Sequence, residues 1–287
     1  MGRRQNEEAA KGQRAKYRMM TISAYVLHFL YYATRNMQPI PRLTCFTLLM
    51  TLSFVQPSNV TVDHSLWDTL LHRYVDNDGR VAYRDWKARD LASFETYLKA
   101  LAEAKVAGMS EAEEKAFWIN TYNAIIIQGV LNGYTAEGLI ARKRLFSWYS
   151  LMIAGKKRTP DEIEHQILRK KFRDPRIHFT IVCASTSCPK LRPEAYVPER
   201  LDQQLEDAAR GFINDPQRNR FEAGNVAVSP IFQWFAQDFI DQAGTVSKFF
   251  LRYVADEKKA ILESFTGDVQ YLEYNWTLNA QDGQRIS

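Results

Sequence analysis

The sequence predicts an α+β fold: a single, mainly helical domain with a small antiparallel sheet. Three observations predict it. Segments with the apolar spacing of amphipathic helices dominate the chain from residue 63 onward. Strand-like runs are few, short and scattered between them. No repeat, low-complexity tract or Ser/Gly linker divides residues 59–287.

"DHSLWDTLLHRYVD" (63–76) sets Leu66, Leu70 and Tyr74 on one helical stripe. The turn "NDG" (77–79) leads into "RVAYRDW" (80–86), which reads as extended. "DLASFETYLKALAEA" (90–104) is a helix with Asp90 at its N-cap. "SEAEEKAFWINTYNAIIIQGVLNG" (110–133) opens on a capping box, Ser110 with Glu113, and ends at Gly133. It is apolar on most sides from Phe117 to Leu131 and so belongs at the centre. Its polar members Asn120, Asn123 and Gln128 must then be hydrogen-bonded.

"YSLMIAGKKRT" (149–159) is a short strand turning at Gly155, and "TPDEIEHQILRKKF" (159–172) a helix capped by Thr159 with Pro160 first. "IHFTIVCA" (177–184) reads as a buried strand and "PERLDQQLEDAARGFIN" (198–214) as a helix. "RFEAGNVAVSPIF" (220–232) is a hairpin around Gly224-Asn225. "WFAQDFI" (234–240) and "TVSKFFLRYVADEKKAILESF" (245–265) are helical, and "VQYLEYNW" (269–276) is a final strand.

With 46% hydrophobic and 25% charged residues, the composition is that of a soluble globular protein. A chain of 287 residues needs neither a metal nor a disulfide as a staple. The net charge of +5 sits in the first 42 residues, where eight Lys/Arg face only Glu7 and Glu8. The remaining 245 residues carry −1, without the surplus of cations that a phosphate-binding face requires. No nucleic-acid partner is expected.

Residues 1–58 read as a leader. The apolar stretch 19–33 is interrupted by His28, whereas "LTCFTLLMTLSFV" (43–55) has the length of a signal-peptide core and is short for a membrane span. A start at Met37 gives it the short basic preface "MQPIPR". Either the leader is cleaved near Ser58, where no clean A-x-A motif occurs, or it remains as an N-terminal anchor. Both readings put the domain outside the cytoplasm, touching membrane only through an uncleaved leader. Cleavage also removes Cys45, leaving Cys183 and Cys188, which can pair in an oxidising compartment.

Those two cysteines and His178 fall within "HFTIVCASTSCPKL" (178–191), in a chain with only five His and three Cys. In a regular strand His178 and Cys183 point to opposite faces, so one cannot serve the other directly. Cys188, after the turn "ASTS", sits at an accessible loop end from which it can swing back to the histidine. A thiol of ordinary pKa, about 8.5, needs a neighbouring imidazole to act as a nucleophile, and a third group to orient that imidazole. Glu164, His165, Asn120 and Asn123 are candidates for the third role. The residues alone leave Cys183 open as a small buried apolar group, and Cys188 as nucleophile or disulfide partner.

Asp161 and His165, one helical turn apart, either form a basicity-raising pair or simply reflect the acids favoured in a first turn. "VSPIFQWFAQDF" (228–239) offers Phe232, Trp234 and Phe235 as cleft walls and Asp238 as an orienting group, with core packing as the ordinary account. A zinc site from Cys183, Cys188, His178 and His165 lacks the usual ligand spacing, and no nucleotide-binding, serine-hydrolase or zincin motif occurs. No metal or other cofactor is expected.

Six stretches in order, "FWINTYNA" (117–124), "DEIEHQILR" (161–169), "DPRIHFTIVCASTSCPKLRPEAY" (174–196), "LDQQLEDAARGFIN" (201–214), "SPIFQWFAQDF" (229–239) and "LEYNWTLN" (272–279), resemble the domain-of-unknown-function 547 family. The resemblance spans about residues 64–280. It implies a fold related to papain-like thiol hydrolases and transglutaminases, and export to the bacterial periplasm or beyond. It points to Glu164 and His165, to His178, Cys183 and Cys188, and to Asn120 and Asn123 as cleft-lining polar residues. The expectation is an exported cysteine-dependent hydrolase or acyltransferase for a peptide or glutathione-like thiol. Cys188 attacks, with Cys183 in reserve; His178, or else His165, takes the proton; Glu164 orients it; backbone N–H groups of "ASTSC" hold the oxyanion. The alternative is a non-catalytic peptide or small-thiol binding domain with Trp234 and Asp238 in its cleft. There, Cys183 and Cys188 form a disulfide or bond to the ligand.

Overall fold

The computed structural model describes residues 62–286. The expected leader, with Met37, both apolar stretches, Cys45 and Ser58, lies outside the described residues. Three helices open the described chain: α1 (Ser65–Tyr74), α2 (Tyr83–Arg89) and α3 (Leu91–Glu103). They close on an aromatic cluster in which Trp67 stacks on Tyr97 (5.5 Å) and Trp86 on Tyr74 (5.1 Å). The extended reading of 80–86 holds only at Val81, which bridges to Val75 and Ala280. Tyr83 and Trp86, three apart, both reach zero exposure by sharing one face of α2. Asp90 stands at the N-cap of α3, but its carboxylate accepts from Arg73 and Tyr74 rather than capping.

Helix α4 (Glu111–Leu131) is buried from Lys115 to Leu131, and its Ser110–Glu113 capping box is formed. After it, α5 (Leu139–Lys143) widens into a π turn (Arg144–Trp148). Strands β1 (Leu151–Ile153) and β2 (Lys156–Arg158) make the hairpin expected at Gly155. Helix α6 (Pro160–Glu162) has the Thr159 cap and continues as a π-helix (Ile163–Phe172), ending where Arg173 turns left-handed (φ 50°).

The strand expected over 177–184 does not form. Pro175–Phe179 is a 3₁₀ turn and the chain beyond it is irregular. Its apolar residues reflect burial, and its backbone is satisfied by side chains instead of a neighbouring strand. Asn123 donates to Thr180 O (2.9 Å) and accepts from the Val182 N–H (3.0 Å).

A 3₁₀ turn (Pro198–Arg200) then leads into α7 (Leu201–Asn214). Strands β3 (Arg220–Glu222) and β4 (Asn225–Val228) form the expected hairpin. Helices α8 (Ile231–Trp234), α9 (Ala236–Ala243), α10 (Val246–Tyr253) and α11 (Asp256–Ser264) follow. Of the final strand only β5 (Gln270–Tyr271) pairs, and it runs parallel to β4, so this sheet is mixed where an antiparallel one was expected. The fold is α+β, mainly helical with small sheets.

Apolar side chains gather in two clusters. One surrounds α4; the other is rich in phenylalanine, with Phe179, Phe212, Phe232, Phe239, Phe249 and Phe250. Residues 177–191 run along the seam: Ile177, Val182 and Cys188 belong to the first cluster and Phe179 to the second. Asn123→Ala leaves a buried carbonyl and a buried N–H without partners, and is expected to lower stability by about 2–4 kcal/mol. Urea unfolding measures this; a change within error would show that the amide is not what secures the segment.

Candidate functional site

Asn120 and Asn123 lie one turn apart on α4. Asn120 donates to Tyr196 O (2.8 Å) and accepts from the Tyr196 N–H (3.0 Å). Both amides are therefore engaged with backbone and do not line a cleft, which corrects the expectation for them. Together they brace the two ends of residues 180–196, the segment that carries both cysteines.

Inside that segment Ala184 is left-handed (φ 56°), a conformation costing a non-glycine residue roughly 1 kcal/mol. It is held there by its neighbours. Asn279 N–H donates to Ala184 O (3.2 Å), and Thr186 N–H to Thr277 O (2.8 Å). Buried Arg218 donates to Thr186 O (3.1 Å) and Cys188 O (2.9 Å).

This turn sets the two thiols apart. Cys183 is half-buried; Cys188 is only 3% exposed, so the accessible loop position expected for it is not found. Cys188 Sγ turns inward and accepts the Cys183 N–H (2.7 Å). Both are free thiols. Cys183 Sγ lies 2.9 Å from Ser185 Oγ and 3.2 Å from Tyr274 Oη. Burial pushes the Cys183 thiol up, but hydrogen bonds involving Cys188, Ser185 and Tyr274 outweigh it and bring it down to about 7. Burial pushes Cys188 the other way, well above the usual thiol range, and its hydrogen bond with Cys183 adds to this.

His178 is buried, stacks on Phe235 (4.0 Å between centroids), and its Nε2 lies 2.7 Å from Asp238 Oδ2. Asp238 also accepts two bonds from Arg169, at 2.7 and 2.9 Å. Burial raises the Asp238 carboxyl, but the bonds from His178 and Arg169 prevail and hold it far below the usual range. Burial lowers His178, with Asp238 opposing. A neutral imidazole facing an ionised carboxylate must carry its proton on Nε2, so Nδ1 keeps the lone pair.

Glu164, His165 and Arg169 stand on the π-helix, a rare geometry that concentrates at functional sites. Arg169 Nη1 lies 3.0 Å from His165 Nδ1, which must therefore be the acceptor. Burial and then the Arg169 charge lower His165. No direct hydrogen bond or ion pair joins Asp161 and His165: the Asp161 carboxylate accepts from Ser147 and acts on His165 only through its charge. Glu164 does not orient a histidine either; its Oε2 accepts from Tyr122 Oη (3.3 Å). Burial pushes the Glu164 carboxyl up to about 7, against Arg169 and Tyr122.

These groups border one cleft of about 170 Å³. Cys183, Cys188, His178, Glu164 and His165 line it, and Tyr122, Phe146, Trp234, Phe235, Tyr274 and Trp276 wall it. Trp234, 48% exposed, stacks on Trp276 at the rim (5.9 Å). Asp238 stands behind His178. A larger hollow, about 520 Å³, lies on the other side of the cysteine turn, but four of its five charges pair among themselves, Lys190 with Asp78 (3.0 Å) and Arg218 with Asp215. The smaller cleft holds the displaced titratable groups and is the candidate site.

Three of the five "ASTSC" N–H groups expected to hold an oxyanion are already engaged. Those of Thr186, Ser187 and Cys188 donate to Thr277 O, Asn275 O and Ser185 O. Sequence reasoning missed Arg169, Tyr122, Tyr274 and Arg218. The first three lie inside stretches already singled out, yet a lone arginine or tyrosine has no spacing signature. Among the described residues no group of three or more His, Cys, Asp or Glu is arranged to hold a metal.

The fold and cleft define an α+β protein with a thiol in an aromatic-walled pocket. Residues 106–213 match the family model described as "Protein of unknown function, DUF547". This supports the family read from the sequence, across helix α4, the π-helix and the cysteine turn; Trp234, Asp238 and Tyr274 come from outside the matched segment. No curated protein and no solved structure matches the chain.

Glu164 titrates near 7 in the folded protein against an ordinary 4.5, so between these values the folded state binds the extra proton. Stability therefore falls as pH rises from about 4.5 to about 7, and above that range the buried carboxylate costs on the order of 3 kcal/mol. Glu164→Gln is expected to flatten this part of the stability–pH curve and to be the more stable protein at alkaline pH. A wild-type curve with the same slope as the variant's would contradict the placement of the charge.

Proposed function

We propose that the protein is a cysteine-dependent hydrolase or acyltransferase acting on a peptide or glutathione-like thiol substrate, with Cys183 as nucleophile. The observation that carries this reading is a thiol brought down to about 7 in the same cleft as a histidine whose carboxylate partner leaves Nδ1 unprotonated. Cys183 gives its proton to His178 Nδ1, and the thiolate forms a C–S bond with the substrate carbonyl carbon. The tetrahedral species expels an amine or thiol, which takes a proton from the imidazolium or from Glu164. Water, or an acceptor amine or thiol, then cleaves the acyl-cysteine bond and restores the enzyme. A carboxyl titrating near 7 suits the donor role because both its forms are populated near neutrality.

Asp238 positions His178, and Arg169 positions Asp238. Cys-His sets oriented by a third polar group recur in papain-like enzymes, in keeping with the proposed kinship. The cleft, about 170 Å³, is small beside ordinary ligand pockets and fits one side-chain-sized acyl group. The proposal retains export of the domain and excludes nucleic acid as a substrate.

One observation favours the non-catalytic alternative. The backbone N–H groups of Cys183, Thr186, Ser187 and Cys188 are already engaged, which leaves few donors near the thiol for an oxyanion beyond Tyr274. In that reading Cys183 binds, or links covalently to, a peptide or small thiol in the same cleft.

The two readings separate on a panel of peptide anilides, γ-glutamyl anilides and thioesters, combined with thiol labelling across pH. Cys183→Ala is expected to reduce turnover by about a thousandfold or more, with the labelling midpoint of wild-type Cys183 near 7. Cys188→Ala is expected to retain acyl-enzyme formation. Undiminished turnover in Cys183→Ala sinks the assignment, and rapid labelling with no turnover on any substrate selects the binding domain.

A further inference from the structure

From the inside, α5 and its π turn (139–148) form part of the cleft: Leu145 is buried and Phe146 lines the wall. The outside of the same helix carries the three most exposed large apolar side chains among the described residues, Leu139 (80%), Ile140 (69%) and Trp148 (59%). Isolated exposed apolar residues are ordinary; three on one short helix are not.

Charge follows the same segment. Residues 138–158 contain six Lys/Arg and no Asp or Glu, while the rest of 59–287 has 24 Lys/Arg against 31 Asp/Glu. None of the six makes an ion pair among the described residues. Arg142 lies over the Trp276 ring (4.3 Å) and Arg158 near Trp118 (6.0 Å). Lys143, Arg144, Lys156 and Lys157 are exposed. Of the 24 Lys/Arg elsewhere in 59–287, 14 make an ion pair among the described residues, as with Arg169 on Asp238 and Arg218 on Asp215.

Unpaired cations beside exposed Leu, Ile and Trp form the composition that settles at a membrane interface. The apolar side chains enter the headgroup boundary while the cations meet anionic headgroups, with lysine stems lying along the apolar surface. A nucleic acid would use the cations alone and leave the apolar side chains in water.

We propose that the face formed by residues 139–158 docks the protein on an anionic phospholipid surface. The contact is distinct from any anchoring by the leader and independent of the chemistry assigned to the cleft. Because Phe146 belongs to the same helix, docking would set the cleft beside the lipid.

The full-length chain is tested by co-sedimentation with vesicles of phosphatidylcholine alone and with about a third phosphatidylglycerol, at low and high salt. The leader's apolar stretches can bind both vesicle types and its eight Lys/Arg favour the anionic one, so the readout is the change in the ratio between them on substitution within 139–158. The expected ratio is well above one, falls with salt, and drops roughly fivefold for each cation removed from the set Lys143→Gln, Arg144→Gln, Lys156→Gln and Lys157→Gln. The combined Leu139→Ser, Ile140→Ser and Trp148→Ser variant is expected to weaken binding to the anionic vesicles as well. All seven side chains are exposed, and an unchanged melting transition confirms that folding is intact. A ratio near one for the wild type, or one unaffected by the cation variants, overturns the proposal. So does full competition by soluble polyglutamate combined with indifference to the apolar variant, which would assign the face to an acidic protein.

Discussion

Two amide side chains on α4 support everything else in the candidate site. The segment from Thr180 to Tyr196 bridges to neighbouring chain only at Ser185–Leu278, so its other buried backbone groups need other hydrogen bonds. Asn123 supplies them at Thr180 and Val182, and Asn120 does so at Tyr196. Each group left alone would cost roughly 1–3 kcal/mol. Because both amides project from a buried helix that is itself fixed by packing, they pin an irregular segment as firmly as a sheet would. They also leave its middle free to adopt the left-handed turn at Ala184, between the two cysteines.

The charges behind the cleft form a chain: His165, Arg169, Asp238 and His178. Arg169 touches two members of the set, Asp238 and His165. Its guanidinium makes His165 an acceptor at Nδ1 and, together with His178, keeps Asp238 ionised; ionised Asp238 fixes the proton of His178 on Nε2. Phe235 presses against this chain, stacking on His178 and lying 4.9 Å below the Arg169 guanidinium.

Most elements were legible from local signals: the Ser110–Glu113 and Thr159–Glu162 boxes, the turns at Gly155 and Gly224, and the buried run of α4. The cysteine segment was not. An apolar run such as "IHFTIVCA" has the composition of a buried strand, and nothing local reveals that its partner is an asparagine 57 residues earlier. Register therefore misled the pairing of His178 with the thiols. The two asparagines were legible as buried and hydrogen-bonded; that their partners would be loop backbone depended on tertiary contacts. Arg169 and Tyr274 were invisible for the same reason: each matters only through a residue distant in sequence.

The contrast between the two cysteines follows from this architecture and bears on which one can act. Two thiols in contact in a buried setting cannot both ionise, since each thiolate raises the cost of the other. The charge goes where more hydrogen bonds meet it. Cys183 has Ser185 and Tyr274 at its sulfur; Cys188 Sγ faces the Cys183 N–H, while its carbonyl is gripped by Arg218. An accessible sequence position, after a turn and before a proline, favoured Cys188. The fold reverses that preference: Cys188 is buried, its carbonyl accepts from Arg218, and its Sγ is occupied by the Cys183 N–H. Cys183 gains its acidity from the same turn that buries its neighbour.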